Sequence, residues 1–370
     1  MLAFVLMVSF AVQDSGAFVV RLGNDTVSLE QYTRTGTQLR GEYVLRTPRS
    51  VHRIYTADLN PDGTIRRFEL VTHNIGGAPG PMEIKASVVF SGDSAVMTSD
   101  GQTQRIAVPK GIWPYGFYGF GLMEQIARWS RAVGKDSVRF TALTAADQTS
   151  GGFIRKRGGD TLVFMFDQGY LAGVGPFTFK DDRQGHITWL TGKGSTLQVE
   201  VQRVSSVPMA QATQSFANRP LGPLSVRDTA RASVGGAAVW VDYGRPMKRG
   251  REIFGNVVPW NTVWRTGANE ATQFNTSADL VISGATVPAG KYTLWTLPTP
   301  SGWKLIINKQ TGQWGTEYHP EQDLVRVDAK VETLAAPLEQ LVIGFEPAAA
   351  GATLTITWDK TKVSVPVAKK

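Results

Sequence analysis

The chain has 370 residues, enough for two domains that each bury a core. It contains no cysteine, which excludes disulfides, thiolate metal sites, iron–sulfur clusters and cysteine nucleophiles, so the cores themselves must supply the stability. The formal net charge is +8, but acidic residues interrupt the basic ones throughout and no Lys/Arg run longer than Arg155–Arg157 occurs, which argues against a nucleic-acid-binding surface.

The N-terminus reads MLAFVLMVSFAVQDSGA. Its apolar run, residues 2–12, is shorter than the ~20 residues a membrane-spanning helix needs. It fits the apolar core of a secretory signal, with small residues for cleavage at Ser15, Gly16 and Ala17, although the basic residues that usually open such a leader are missing. Residues 1–17 are therefore expected to be a signal peptide truncated at its basic end, and the protein to be exported to the periplasm or the cell exterior. No later apolar run is long enough to span a membrane.

From Phe18 onward short segments alternate apolar and polar residues: FVVRL, TVSLEQYTR, GEYVLRT, VHRIYTADL, TIRRFELVTHN and MEIKASVVF, then SVRFTAL, GFIRKRG, TLVFMFDQ, GPFTFKDD, HITWLTG and TLQVEVQRV. A period of two with turn residues between the segments predicts an antiparallel sheet. One helix interrupts it, over about residues 121–133, where Leu122, Met123, Ile126, Trp129 and Val133 share a face and Gly134 suits the position after the last turn. The aromatic run GIWPYGFYGFG before the helix reads as a core plug. Residues 18–204 are thus expected to form a large curved antiparallel sheet with this helix on its concave face.

Some motifs look sharper than they are. Asp58, Asn60, Asp62, Gly63, Ile65 and Glu69 match the calcium-loop spacing, but their flanks alternate as strands and Pro61 sits inside, so a hairpin turn is expected. His52, His73, His186 and His319 are scattered without metal-ligand spacing. There is no nucleophile elbow and no phosphate loop, and GVGPF at residues 173–177 lacks a third glycine. Neither a metal nor a cofactor is expected.

Residues 205–224, SSVPMAQATQSFANRPLGPL, read as a linker with a short helical turn around residues 209–216. Beyond them come SVRDTARASVGG, VDYGRPMKRGREIFG, VVPWNTVWRTGANEATQF, DLVISGATVPAGKYTLWTLP, GWKLIINKQTGQWG, YHPEQDLVRV and LTITWDKTKVSVPV. In these seven ordered stretches the second half, residues 224–367, resembles the secreted bacterial domain-of-unknown-function family 2911. The resemblance implies an exported, β-rich domain and no particular activity. The residues agree with that: AAVWVDYG, ATQFNTS, DLVISG, KYTLWTLP, WKLIINK, DLVRVDAKV, EQLVIGFE and TLTITWDK are eight strand candidates. A β-sandwich or jelly roll is expected over residues 225–370.

Residues 242–274 carry the chemistry worth testing. Tyr243, Arg245, Lys248, Arg251, Trp264, Arg265, Asn269 and Glu270 are the candidate ligand-binding set, because guanidinium forks take carboxylates or phosphates and indole faces take sugars. The competing account pairs Arg265 with Glu270, caps a turn with Asn269, plugs the sandwich with Trp264 and leaves Lys248 and Arg249 solvated. If the segment is catalytic, Glu270 is the acid or base of a glycosidic or ester hydrolysis, its pKa set by Arg265 and by burial. Asp323 or Asp242 would then be the second acid and His319 a proton shuttle. The expected function is binding of an extracytoplasmic ligand or partner, an anionic glycan or another envelope component. The alternatives are this hydrolase and a structural or assembly protein without a small ligand.

Overall fold

The computed structural model describes residues 13–370 except residues 78–79, 116–117, 144–147, 170, 172–174, 183 and 196. The apolar run of residues 2–12 lies outside the described residues, as do Phe117 of the aromatic run and Gly173 of GVGPF. The chain divides into two compact units between Gly222 and Pro223.

The first unit opens with β1 (Gln13–Leu22), β2 (Asp25–Thr35), β3 (Gln38–Leu45), β4 (Val51–Leu59) and β5 (Ile65–Asn74). Then come β6 (Glu83–Ser91), β7 (Ser94–Ser99), β8 (Gln102–Ala107) and the short β9 (Trp113–Pro114). Helix α1 (Phe120–Val133) follows, then β10 (Ser137–Leu143), β11 (Thr149–Gly158), β12 (Thr161–Gly169), β13 (Phe177–Asp181), β14 (Ile187–Thr191) and β15 (Glu200–Val204). The fifteen strands form one sheet in which β1 to β8 run in order to one edge, β15 back to β9 run in order to the other, and β1 joins β15. Among the described residues every strand pairing of this sheet is antiparallel except β9 with β10. The sheet curls: Val88 of β6 and Ala95 of β7 share a core cluster with Leu143 of β10, a strand far from them in sheet order.

Helix α1 packs on the sheet, with Phe120 against Phe18 of β1 and Trp129 against Trp113 of β9; of the expected stripe Leu122, Met123 and Ile126 are buried and Val133 is exposed, and Gly134 ends the helix in the left-handed conformation at φ 75°. Residues 58–69 form the β4–β5 hairpin. The Asn60 amide donates to the Thr64 carbonyl and the Asp62 carboxylate accepts from the Thr64 amide, while Glu69 takes Arg67, so these acids serve the turn and its flank.

Two segments singled out in the sequence have definite surroundings here. Ser15, Gly16 and Ala17 lie inside β1, paired with β2, and Asp14 beside them forms ion pairs with Arg128 and His186. A cut after Ala17 would remove part of a working strand. The segment read as a linker is docked. It contains helix α2 (Met209–Asn218), whose Met209, Ala212 and Phe216 fall on one face and pack with Ala17, Val44 and Val207. Ser50 Oγ donates to the Phe216 carbonyl and Thr47 Oγ1 to the Gly222 carbonyl, tying the segment to the sheet to its end.

The second unit is an all-antiparallel set of nine strands: β16 (Ser225–Val234), β17 (Ala237–Pro246), β18 (Thr272–Thr276), β19 (Leu280–Ile282), β20 (Ala285–Val287), β21 (Gly290–Thr299), β22 (Gly302–Asn308), β23 (Asp323–Ala348) and β24 (Gly351–Lys369). Their order is β16-β17-β18-β21-β22-β23-β24-β19-β20. The long β23 pairs with β22 through its first residues and with β24 through the rest, so one strand belongs to both layers. Val239, Val241, Leu294, Leu305 and Ile307 from one layer and Leu280, Ile282, Leu354, Ile356 and Val363 from the other share a single core, as a sandwich requires.

Candidate functional site

The basic segment leaves β17, folds Ile253, Phe254 and Val258 back into the sandwich core, and returns as β18. Its candidate residues separate into three groups. Tyr243 and Trp264 serve the core. The Tyr243 hydroxyl accepts from the Ile343 amide at 2.9 Å and donates to the Ile343 carbonyl at 3.3 Å, and burial pushes its pKa up. Trp264 stacks on Trp358 with ring centroids 6.0 Å apart and meets Phe254 edge-on.

Arg245, Lys248 and Arg251 form the second group, against the part of the chain where β23 and β24 fall out of register. Arg245 pairs with Asp228 at 2.8 Å and donates to the Leu341 carbonyl. Lys248 Nζ meets Asp359 at 2.6 Å. Arg251 donates to the carbonyls of Met247 and Lys248, and its pKa is lowered by burial and by the neighbouring Arg249. Arg249 is itself buried, and its amide donates to the Glu339 carboxylate at 2.7 Å. The loop tip expected to be solvated is instead spent on β23 and β24.

Arg265, Asn269 and Glu270 form the third group, beside residues 313–315. The Gly315 amide donates to the Asn269 carbonyl at 3.0 Å, the Ala271 amide donates to the Gln313 carbonyl at 3.2 Å, and Glu270 and Trp314 form an isolated bridge. The Arg265 stem runs directly against Gly315: a Cβ there would overlap Arg265 Cδ and the Asn269 carbonyl. Only glycine lets this arginine pass.

Glu270 does not pair with Arg265. Its carboxylate takes Arg227 of β16 at 2.8 Å, and the same guanidinium holds Asp242 at 2.7 Å. Arg265 makes no hydrogen bond or ion pair with any described residue, and its Nε is sealed from solvent without a partner. Burial alone lowers its pKa to about 10, with no carboxylate opposing the fall. The terminal nitrogens are not sealed, so the end of the fork reaches the surface.

Of the proposed second acids, Asp242 shares the Arg227 guanidinium with Glu270, whereas Asp323 lies in a separate cluster. Asp323 accepts from Tyr318 at 2.7 Å, from Arg326 at 2.6 Å and from Asn308 at 2.8 Å, and His319 meets the exposed Glu321 at 2.9 Å. Burial and the adjacent Asp323 push the Tyr318 pKa up. Asp323, Asn308, Tyr318 and Arg326 are satisfied by one another.

Sequence reasoning missed a second constellation, in the first unit. Glu30 and Glu124 are both fully buried. Glu30 accepts from Tyr55 at 2.9 Å and from the amides of Phe120 and Gly121 at 2.6 and 3.0 Å, so a carboxylate on β2 caps α1, whose own cap residue Gly119 has no side chain to do so. Glu124 accepts from Tyr32, from Arg203 at 2.6 Å and from the Ile187 amide at 2.8 Å. Arg128 links Glu124 to Asp14, and Arg131 pairs with Asp181. Burial raises the pKa of both glutamates, that of Glu30 to about 7. The available signal was Glu30 on the same strand face as Ser28 and Tyr32, with Glu124 and Gln125 set among apolar helix residues.

The second unit can be placed by comparison. Residues 225–367 match the family described as Protein of unknown function (DUF2911). The matched span takes in all nine strands of that unit and the Arg265 group. No curated protein matches the chain. Among solved structures the chain is similar to a DUF1089 family protein from Pseudomonas aeruginosa, at 14% identity and TM-score 0.32, over 45% of this chain and 90% of that one. It is also similar to a beta-barrel-like protein of Domain of Unknown Function DUF1849 from Brucella abortus, at 12% identity and TM-score 0.34, over 52% of this chain and 94% of that one.

Proposed function

We propose that this two-unit β protein is exported and binds an extracytoplasmic ligand or partner, with an anionic glycan or another envelope component as the class that fits, and that Arg265 of the second unit receives the anionic group. One observation carries the reading: a largely buried guanidinium with no partner among the described residues. A buried charge is costly unless it is paired, and a bound anion supplies the pair. Asn269 and Glu270 border the same loop, and the exposed Trp314 lies next to it. Arg245, Lys248 and Arg251 support the fold around the site. Export is favoured by the apolar residues 2–12.

The test is a thermal-shift screen of the full chain against acidic and neutral glycans, peptidoglycan fragments, nucleotides and fatty acids. A ligand at about 100 times its Kd adds about 2.7 kcal/mol, enough to raise Tm visibly. The expected result is a shift with an acidic compound that Arg265→Ala abolishes. A panel without any shift, or a shift that Arg265→Ala leaves intact, removes Arg265 as the binding residue.

A further inference from the structure

We propose, resting on the anion-binding reading of Arg265, that the group received there is one sugar ring bearing one carboxylate, a uronic residue of an acidic glycan, and not a phosphate or sulfate ester. Three features carry this. The first is charge. Arg245 is matched by Asp228, Lys248 by Asp359, and Arg227 by Asp242 and Glu270, so Arg265 is the one cation of these four without a carboxylate. Its guanidinium can take one negative charge locally, while the second carboxylate on Arg227 leaves the group no surplus positive charge for a doubly charged ligand. A phosphate monoester brings about −1.5 to −2 near neutral pH, and Glu270 beside the loop opposes the excess.

The second feature is direction. Gly315 admits the Arg265 stem, Nε is sealed, and only the terminal nitrogens reach solvent. Side-on docking through Nε is therefore closed, and the end-on fork remains. Two parallel N–H donors match the two coplanar oxygens of a carboxylate. A tetrahedral ester would leave its third oxygen without a donor.

The third feature is the ring. Trp314 directly precedes Gly315, forms the bridge to Glu270, and is 36% exposed despite its size. An indole at the surface one residue from the arginine passage offers an apolar face to a pyranose whose carboxylate enters the fork.

The test is titration calorimetry of the full chain with trigalacturonate, its full methyl ester and inorganic sulfate. Trigalacturonate is expected to bind, with the ester and sulfate weaker by about tenfold or more, the loss typical of a charged hydrogen-bond partner. Arg265→Lys keeps the charge without the fork and should weaken trigalacturonate by about tenfold while leaving Tm unchanged. Trp314→Ala should weaken trigalacturonate and leave any sulfate binding alone. Sulfate binding as tightly as trigalacturonate, and lost in Arg265→Ala, would overturn the uronic class while leaving the anion site standing. An ester that binds as well as the acid overturns the carboxylate, and an unaffected Trp314→Ala overturns the ring contact. Trigalacturonate binding that neither Arg265 variant changes overturns the Arg265 site itself. No binding of trigalacturonate by the native chain overturns the uronic class, and the broader glycan and nucleotide panel then decides the fate of the anion site.

Discussion

Both carboxylate oxygens of Glu30 are occupied, by Tyr55 and two amides of α1, and burial still holds its pKa near 7. A carboxyl whose folded pKa lies above its unfolded value favours the fold most when protonated. Its contribution is complete below about pH 4.5 and is lost as pH rises through about 7, by up to roughly 3 kcal/mol. Glu124, raised by burial as well, acts in the same direction. Urea unfolding of the native chain is therefore expected to show the first unit losing stability between pH 5 and pH 8. Glu30→Gln should flatten that slope, whatever constant offset the lost cap bond adds. Equal slopes for the two proteins would show that Glu30 does not titrate in this range. The face that Glu30 occupies could be read from the alternation of TVSLEQYTR, but its partners could not, because Tyr55 lies two strands on, on β4, and the two amides lie about ninety residues away on α1. Arg265 and Glu270 misled for the opposite reason. They are close in sequence and invite a pairing, yet the register of β16 against β17 delivers Arg227 to Glu270 first.

At the scale of elements, period-two alternation revealed most strands because most have one buried face. It failed for β16, whose residues are largely exposed on both faces, so no apolar stripe marks it. It also divided β23 into two strands. Pro337 has no amide for a ladder, and it falls between Thr333 and Leu338, where the pairing with β24 shifts register, so the chain continues through a bulge. Helix α2 was legible only as a turn, because its three apolar anchors stand in a segment rich in Ala, Gln and Pro. Phe216 is nonetheless 6% exposed, against Ala17 and Val44. Phe216→Ala should lower the stability of the first unit by about 3–5 kcal/mol, as for other large core truncations, measured by urea unfolding. A change below about 1 kcal/mol would return the segment to the status of a linker.

At the scale of the whole molecule, each unit has its own core, and the second holds both the family match and the Arg265 group. The first closes across a long stretch of sequence. Ala17 on β1 pairs with Val204 on β15, and the strands between extend outward to both edges of one sheet. This has a consequence for a chain made from its N-terminus. When β1 to β8 have left the ribosome, β1 has a neighbour on one side only, and its other side must wait until β15 is synthesised. For that interval the strand that will lie in the middle of the sheet is an open edge, the form of backbone most prone to pair with the wrong chain. Production of the protein should accordingly depend on whatever shields nascent chains, more than its final stability would suggest.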